Sequence, residues 1–264
     1  MSELSTLELL CVALIFIWSG FVRSGLGFGG AVLAIPFLLL IHDDALLFLP
    51  LIAVHLIVFS VWITWRSHRK ATTQSVEDTA PSQTPDWPYL RKALKVMILP
   101  KMLGVMGLLT LPPQITSVII LTVVSFYALG YVINRPIQVK NIWTERALLA
   151  GGAYFSGTSL TGAPLLIPAI ASRVSKHQLR NTLFVLWLIL TTIKLASFVA
   201  FGVDLQLIHH LWLFPCAFLG HLIGERFHQR ILAAETPTFF RVLGVTLLAV
   251  SAVGLLRAFG LLGQ

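Results

Sequence analysis

The chain contains 264 residues, of which 56% are hydrophobic and only 11% are charged, and its mean hydropathy is +0.85. One soluble core cannot hide that much apolar surface, so the composition excludes an ordinary soluble domain and indicates that the lipid bilayer is the solvent. The formal net charge of +8 could indicate a nucleic-acid partner. The basic residues flank hydrophobic stretches instead of forming one continuous face, however, and we expect them to orient the chain in the membrane.

The predicted membrane-spanning helices follow from the length of the apolar stretches, since about 20 apolar residues cross a bilayer. The N-terminal stretch has no basic region before it, and its apolar run continues past any plausible cleavage point. We therefore interpret it as retained and not as a signal peptide. Residues 93–111 form a weaker candidate because Lys101 lies near their middle, although a cation at such depth usually has a function. The stronger candidates are residues 44–66, 115–133, 179–201, 207–224 and 239–260.

A repeated motif relates the two halves of the chain. Residues 24–36 read SGLGFGGAVLAIP and residues 156–168 read SGTSLTGAPLLIP, an offset of 132 residues. Seven of the thirteen positions are identical, and they include the opening Ser–Gly pair, a later glycine and the closing proline. We therefore predict two related repeats, residues 1–134 and residues 135–264. The polar stretch 67–89 lies within the first repeat and has the Ser/Thr/Pro composition of a flexible linker.

Each motif is predicted to interrupt the first hydrophobic segment of its half. Residues 4–41 are apolar almost throughout, and at about 1.5 Å per residue a straight helix of that length would overshoot a hydrocarbon core of about 30 Å. In the second half we place the break at residues 156–162, after which Pro164 favours the first turn of a new helix. In the first half the expected break is a run of glycines, which destabilise a helix: Gly25, Gly27, Gly29 and Gly30.

A broken segment either crosses the membrane or returns to its own side as a re-entrant hairpin, and positive charge discriminates between the two. Fifteen of the 19 Lys and Arg residues lie in connections between hydrophobic segments. They split nine to six between the two sides if all eight segments cross, but all fifteen share one side if the second broken segment is a hairpin. Symmetry extends the hairpin to the first half, where the N-terminus carries no basic residue that would test it, so a crossing there stays open.

The predicted fold is therefore an all-α polytopic membrane protein of two inverted repeats, with eight hydrophobic segments of which the first in each half is broken and re-entrant. Each hairpin would place the N-terminus of a short helix, starting near residues 29–30 and 162–163, close to the membrane centre. Unpaired N–H groups and the helix dipole favour an anion there. Glycine lets the backbone approach a ligand, and Ser and Thr offer uncharged hydroxyl donors. The alternative for these small residues is tight helix packing. The predicted substrate-binding residues of the two motifs are Ser24, Gly25, Gly27, Gly29, Gly30, Ser156, Gly157, Thr158, Ser159, Thr161 and Gly162.

Charged residues within the hydrophobic segments favour the same kind of ligand. We add Arg23, Lys101 and Lys194 to the predicted site as cations, and His55 as a group that could titrate or donate a hydrogen bond. Arg23 and Lys194 could instead snorkel toward the interface, and a lone histidine is more often a packed polar group. The acidic residues fall at the ends of the hydrophobic segments, which disfavours a cation as the substrate.

Neither a metal nor a cofactor is predicted. Cys11 and Cys216 lie inside hydrophobic segments, where cysteine is an ordinary small apolar residue. An intramembrane enzyme is disfavoured because the sequence has no HExxH motif, and no paired Asp or Ser/Lys dyad embedded in its spans. We therefore expect a non-enzymatic protein whose partners are a small anion and membrane lipids, without nucleic acid, and we leave a homo-oligomer open.

The paired motifs, each opening a four-segment half, resemble those of the TauE/SafE family of sulfite and organosulfonate exporters, and the resemblance covers essentially the whole chain. It implies a secondary transporter of the bacterial inner (plasma) membrane that exports sulfite, sulfoacetate or a related organosulfonate by alternating access. Two features depart from the pattern: Ser159 and Thr161 stand where the first motif has Gly27 and Gly29, and the family's function does not demand the 67–89 insertion. The alternatives are an anion channel and a transporter of another small anion.

Overall fold

The computed structural model describes residue 1 and residues 4–26, 30–74, 84–133, 137–233 and 237–261, and every regular element in these ranges is a helix. The first half contains α1 (Thr6–Leu26), α2 (Gly30–Ile41), α3 (Ala45–Gln74), α4 (Trp87–Thr110) and α5 (Pro113–Ile133). The second half contains α6 (Ile142–Ser159), α7 (Ala163–Ala171), α8 (Lys176–Ala200), α9 (His210–Ala233) and α10 (Pro237–Ala258). A 3₁₀ turn, Leu207–His209, precedes α9.

Seven of the described helices are long and apolar enough to cross a membrane: α1, α3, α4, α5, α8, α9 and α10. They cover the five strong sequence candidates and also the weaker one, since α4 is apolar enough despite Lys101. The prediction of an all-helical, multi-pass membrane protein is therefore confirmed. Helices α2 and α7 have 12 and 9 residues, so at about 1.5 Å per residue neither crosses a bilayer alone.

The connection between α3 and α4 is shorter than the linker predicted for residues 67–89. Helix α3 continues to Gln74 and α4 begins at Trp87, so the predicted linker was too long at both ends. A helix cap explains the early start of α4. The Asp86 side chain accepts a hydrogen bond from the Tyr89 backbone nitrogen at 2.9 Å, and Pro88 occupies the first turn, where its missing N–H costs nothing.

The two halves of the chain interlock instead of forming separate units. Helix α1 packs along α9 and α4 packs along α6, so the long helix of each broken segment lies against a helix of the other half. Helix α5 packs against α10, and α3 packs against α8. The main apolar core accordingly draws on both halves and includes Leu33 of α2 and Ala163 of α7.

Glycines allow close backbone approach at two of these helix pairs. A Cβ atom on Gly220 of α9 would collide with the Ile17 carbonyl oxygen of α1. A Cβ atom on Gly104 of α4 would collide with the Tyr154 carbonyl oxygen of α6. Because lipid is as apolar as the helices, such close packing is a main source of helix association in membranes.

The Gly220→Ala variant is expected to be destabilised by about 1–3 kcal/mol, since the added methyl group must push α1 away from α9. Its thermal midpoint in detergent, read from the folded peak in size-exclusion chromatography after heating, should fall. Gly130→Ala is the matched control, because nothing lies within 4 Å of the Cβ position of Gly130. That variant should be unchanged, or slightly stabilised through helix propensity. Equal effects of the two substitutions would contradict close packing at Gly220.

Candidate anion-binding site

The two short helices begin where the motifs predict, α2 at Gly30 and α7 at Ala163. The second break is shorter than predicted, because residues 156–159 belong to the last turn of α6. The Ser159 hydroxyl donates to a carbonyl one turn earlier in α6 at 3.0 Å, which satisfies the hydroxyl within the helix. Leu160 then ends the helix with a φ of 59°, in the left-handed region.

Both short helices fold back against the long helix that precedes them. The Ser19 hydroxyl of α1 donates to the Gly30 carbonyl at the start of α2, at 3.1 Å. A Cβ atom on Gly30 would meet the Ser19 carbonyl oxygen at 2.9 Å, and one on Gly162 would collide with the carbonyl oxygen of Gly152 in α6. Glycine at each break thus lets the short helix start in direct contact with the long one.

A cavity of about 40 Å³ lies between the two broken segments. On the scale at which one water needs about 10–15 Å³, it holds about three waters, a volume that suits a small oxyanion. The beginnings of both short helices line it, together with α3 and α8. The lining residues are Arg23, Gly30, Ala31, Val32, Leu56, Ser60, Ser156, Leu160, Ala163, Phe184, Trp187 and Thr191.

Arg23 supplies a buried charge to this cavity. Its residue is only 4% exposed, and its Nε and Nη1 atoms have no hydrogen-bond partner among the described residues. Its Nη2 atom reaches the Ser19 hydroxyl only at 3.5 Å, and the guanidinium carbon lies 4.8 Å from the centre of the Phe59 ring. Burying an unpaired charge costs several kcal/mol by order of magnitude. An anion in the cavity would offset that cost. Because Arg23 is buried, its side chain does not snorkel to the surface, which was the alternative considered from the sequence.

The two buried lysines hold the end of α6. Lys101 Nζ donates to the Ser156 carbonyl at 2.9 Å and to the Ser156 hydroxyl oxygen at 3.0 Å. Lys194 Nζ donates to the Thr158 carbonyl at 3.1 Å. Cations are favourable at this position because the last carbonyls of a helix carry the negative end of its dipole. Neither lysine lines the cavity, and neither snorkels to the surface, since both are fully buried.

Other predicted site residues lie around the cavity instead of facing it. Ser24 forms a hydrogen bond with Nδ1 of His221. The Ser159 and Thr161 hydroxyls bond to each other at 2.5 Å, and the Thr158 hydroxyl donates within α6 at 3.2 Å. These hydroxyls therefore already have hydrogen-bond partners within the protein.

Several of the motif glycines lie at tight contacts between helices, which was the alternative to a role in binding. A Cβ atom on Gly157 would meet the Lys101 carbonyl oxygen at 2.5 Å, which places this glycine at the contact of α6 with α4. A Cβ atom on Gly224 of α9 would meet the Gly25 backbone nitrogen at 3.0 Å. Gly27 and Gly29 lie outside the described residues.

His55 belongs to a separate aromatic cluster. Its Nδ1 atom lies 2.7 Å from the Leu51 carbonyl, and its ring stacks on Phe214 with ring centres 4.1 Å apart. His55 does not line the cavity, although its neighbour Leu56 does. The position of His55 therefore fits the alternative interpretation, in which it is a packed polar group and not part of the site.

Nine of the twelve lining residues were not predicted from sequence, and four of these nine bring hydroxyls or aromatic rings. Ser60 and Thr191 bring hydroxyls from α3 and α8, and Phe184 and Trp187 form part of the apolar wall. The hydroxyls had a sequence signal, since each is a polar residue inside an otherwise apolar span, but many such residues only bond their own helix. The two aromatic residues gave no sequence signal, because aromatic side chains are common throughout these spans.

The geometry fits a small anion: one buried guanidinium, hydroxyls from three helices, two helix beginnings, and no carboxylate among the residues that line the cavity. The family model for "Sulfite exporter TauE/SafE" matches residues 12–255 of the chain. No curated protein and no solved structure gives a significant match. Since the matched region covers nearly the whole chain, the protein belongs to the TauE/SafE sulfite exporter family, a family of membrane transporters and not of enzymes.

Proposed function

We propose that the protein exports sulfite or a small organosulfonate, and that the anion binds in the cavity beside Arg23. The observation that carries the proposal is the buried guanidinium, two of whose nitrogens have no hydrogen-bond partner among the described residues, beside a cavity that the beginnings of both short helices also line. Sulfite and sulfonate groups present three acceptor oxygens, which suit the planar fork of donors on arginine. The hydroxyls of Ser60, Ser156 and Thr191 would donate further hydrogen bonds to the anion.

The dimensions of the cavity favour small substrates within this class. A volume of about 40 Å³, which holds about three waters, suits sulfite or a short sulfonate better than a large anion. The apolar wall of Phe184 and Trp187 would contact the hydrocarbon part of an organosulfonate. Another small oxyanion of similar size is the alternative substrate, and competition against sulfite distinguishes the two.

We further propose that transport proceeds by alternating access between two inverted repeats, residues 1–134 and residues 135–264, with both broken segments re-entrant. The contact pattern supports this arrangement, because α1 with α9 and α4 with α6 are the same pairing read from each half. The small size of the cavity, about 40 Å³, supports a transporter over an anion channel, which needs a path open at both ends. The basic connections would place the protein in the inner membrane with those connections on the cytoplasmic side.

The proposal is tested by flux of radiolabelled sulfite in proteoliposomes. We expect saturable uptake that exceeds the uptake of protein-free vesicles and that unlabelled methanesulfonate reduces by competition. Uptake no greater than in protein-free vesicles would overturn sulfite as the substrate. Flux that does not saturate, together with single-channel currents in planar bilayers, would favour the channel.

A further inference from the structure

A second polar cluster joins the first motif to the protein surface. His221 of α9 is 2% exposed, and its Nδ1 atom forms a hydrogen bond with the Ser24 hydroxyl at the start of the motif. Its Nε2 atom lies 3.7 Å from a carboxylate oxygen of Glu225, whose side chain is 46% exposed. Three polar groups thus connect an exposed side chain of α9 to the residue next to Arg23.

The two motif serines are held by different bases. Ser156 is held by Lys101 of α4, and Ser24, its counterpart in the first motif, is held by His221 of α9. A histidine changes charge in the physiological pH range, whereas an ordinary lysine does not. The first motif serine therefore has a histidine as its partner where the second has a buried lysine.

Protonation of His221 would change what the Ser24 hydroxyl can do. Next to a neutral imidazole whose hydrogen is on Nε2, the Ser24 hydroxyl must donate its hydrogen to Nδ1. When the imidazole takes up a proton, Nδ1 becomes the donor, the Ser24 oxygen becomes the acceptor, and the hydroxyl hydrogen is released for another acceptor. The Nε2–H group of the imidazolium then faces the Glu225 carboxylate, which stabilises its charge.

The charges around His221 link its protonation to the anion. On α3 it meets the Phe59 ring, with ring centres 5.3 Å apart, and the Arg23 guanidinium of α1 lies on the same ring at 4.8 Å. On α9 the Phe218 ring and Glu225 face it. Among the described residues, Arg23 is thus a nearby like charge and Glu225 an opposite one. An anion beside Arg23 would cancel the repulsion, so it would favour the protonated imidazole.

We propose that His221 is a proton-binding site coupled to the anion site, so that anion binding and proton uptake by His221 strengthen each other. This inference rests on the proposed anion site beside Arg23. Because the coupling is between two binding free energies, it is reciprocal. Acidification, which protonates His221, should tighten anion binding, and anion binding should draw a proton from the buffer.

The test measures methanesulfonate affinity by isothermal titration calorimetry at pH 5.5 and pH 8, in two buffers of different ionisation enthalpy. Methanesulfonate keeps its charge over this range, whereas sulfite titrates itself. We expect about tenfold tighter binding at the lower pH, within the usual range of coupling between two sites, with proton uptake on binding. His221→Gln should bind with an affinity independent of pH. His177→Gln, which changes an exposed histidine at the start of α8, should retain the wild-type dependence.

Glu225→Gln is the second variant, useful if His221→Gln does not fold, and it should shift the pH dependence to lower pH. Wild-type affinity that is equal at both pH values, or pH dependence that persists in His221→Gln, would overturn the proton site. If the affinity of Glu225→Gln shows the same pH dependence as the wild type, the proton site is also overturned. Absence of methanesulfonate binding at both pH values would also overturn the proton site. Sulfite flux in the same preparation would then show that the proposed transport function still holds.

Discussion

Replacement of Arg23 with glutamine is expected to abolish anion binding while the folded protein becomes at least as stable as the wild type. Two guanidinium nitrogens have no partner in the described part of the chain, and each charge-assisted hydrogen bond to an anion would contribute about 1.5–3 kcal/mol. Loss of two such bonds lowers affinity at least about 100-fold. Stability should not fall, because the substitution removes a buried charge that has no carboxylate partner among the residues described.

This combination of effects separates a binding role from a structural one. The sulfite flux of Arg23→Gln should approach that of protein-free vesicles, and sulfite should raise the thermal midpoint of the wild type but not of the variant. Arg91→Gln, which changes an exposed arginine at the start of α4, is the control and should retain both properties. If Arg23→Gln lowers the thermal midpoint and keeps the flux, Arg23 is a structural residue and the proposed site is wrong.

The second large effect is expected for Lys101→Met. Methionine fills a similar volume, but it can no longer hold the Ser156 hydroxyl, which Lys101 contacts at 3.0 Å. The Ser156 carbonyl keeps its bond from the Leu160 nitrogen at 3.2 Å, so the end of α6 retains its backbone partner. We therefore expect the variant to fold and its anion affinity to fall about tenfold, which corresponds to about 1.4 kcal/mol.

A double-mutant cycle with Ser156→Ala identifies how Lys101 acts. If Lys101 works by positioning Ser156, the double variant should be little worse than either single variant, with a coupling energy of about 0.5–3 kcal/mol. Lys92→Met, at an exposed position of the same helix, controls for the loss of positive charge. Strictly additive effects would show that Lys101 acts independently of Ser156, for example through its long-range field on the anion.

Much of the architecture could be predicted because it depends on local properties of the chain. Apolar length predicts the spanning helices, and the glycine of each motif predicts where α2 and α7 begin, at Gly30 and Ala163. The predicted break at 156–162 was too long because hydroxyl side chains such as that of Ser159 bond to their own helix and need not disrupt it. The linker was too long because the Asp86 cap starts α4 early.

The candidate site was predictable only in part, since proximity within a motif does not mean a common orientation. The motifs and cations contained Arg23, Gly30 and Ser156, which do line the cavity. They also contained Gly157, whose lack of a side chain is used for packing against α4. Ser60 was missed because its relevance depends on which face of α3 turns toward α8, a fact that hydropathy does not encode.

The sequence by itself determined that this is a membrane protein with a duplicated motif, that helix breaks occur at those motifs, and that cations without mid-membrane carboxylates favour an anion. These conclusions follow from solvation and backbone propensity, which act residue by residue. Only the tertiary structure decided that α1 packs along α9 and α4 along α6, that Arg23 lines a cavity with two nitrogens that lack partners among the described residues, and that Lys101 and His221 form hydrogen bonds with the two motif serines. Those facts arise from contacts between residues far apart in the chain, where steric fit selects the partner.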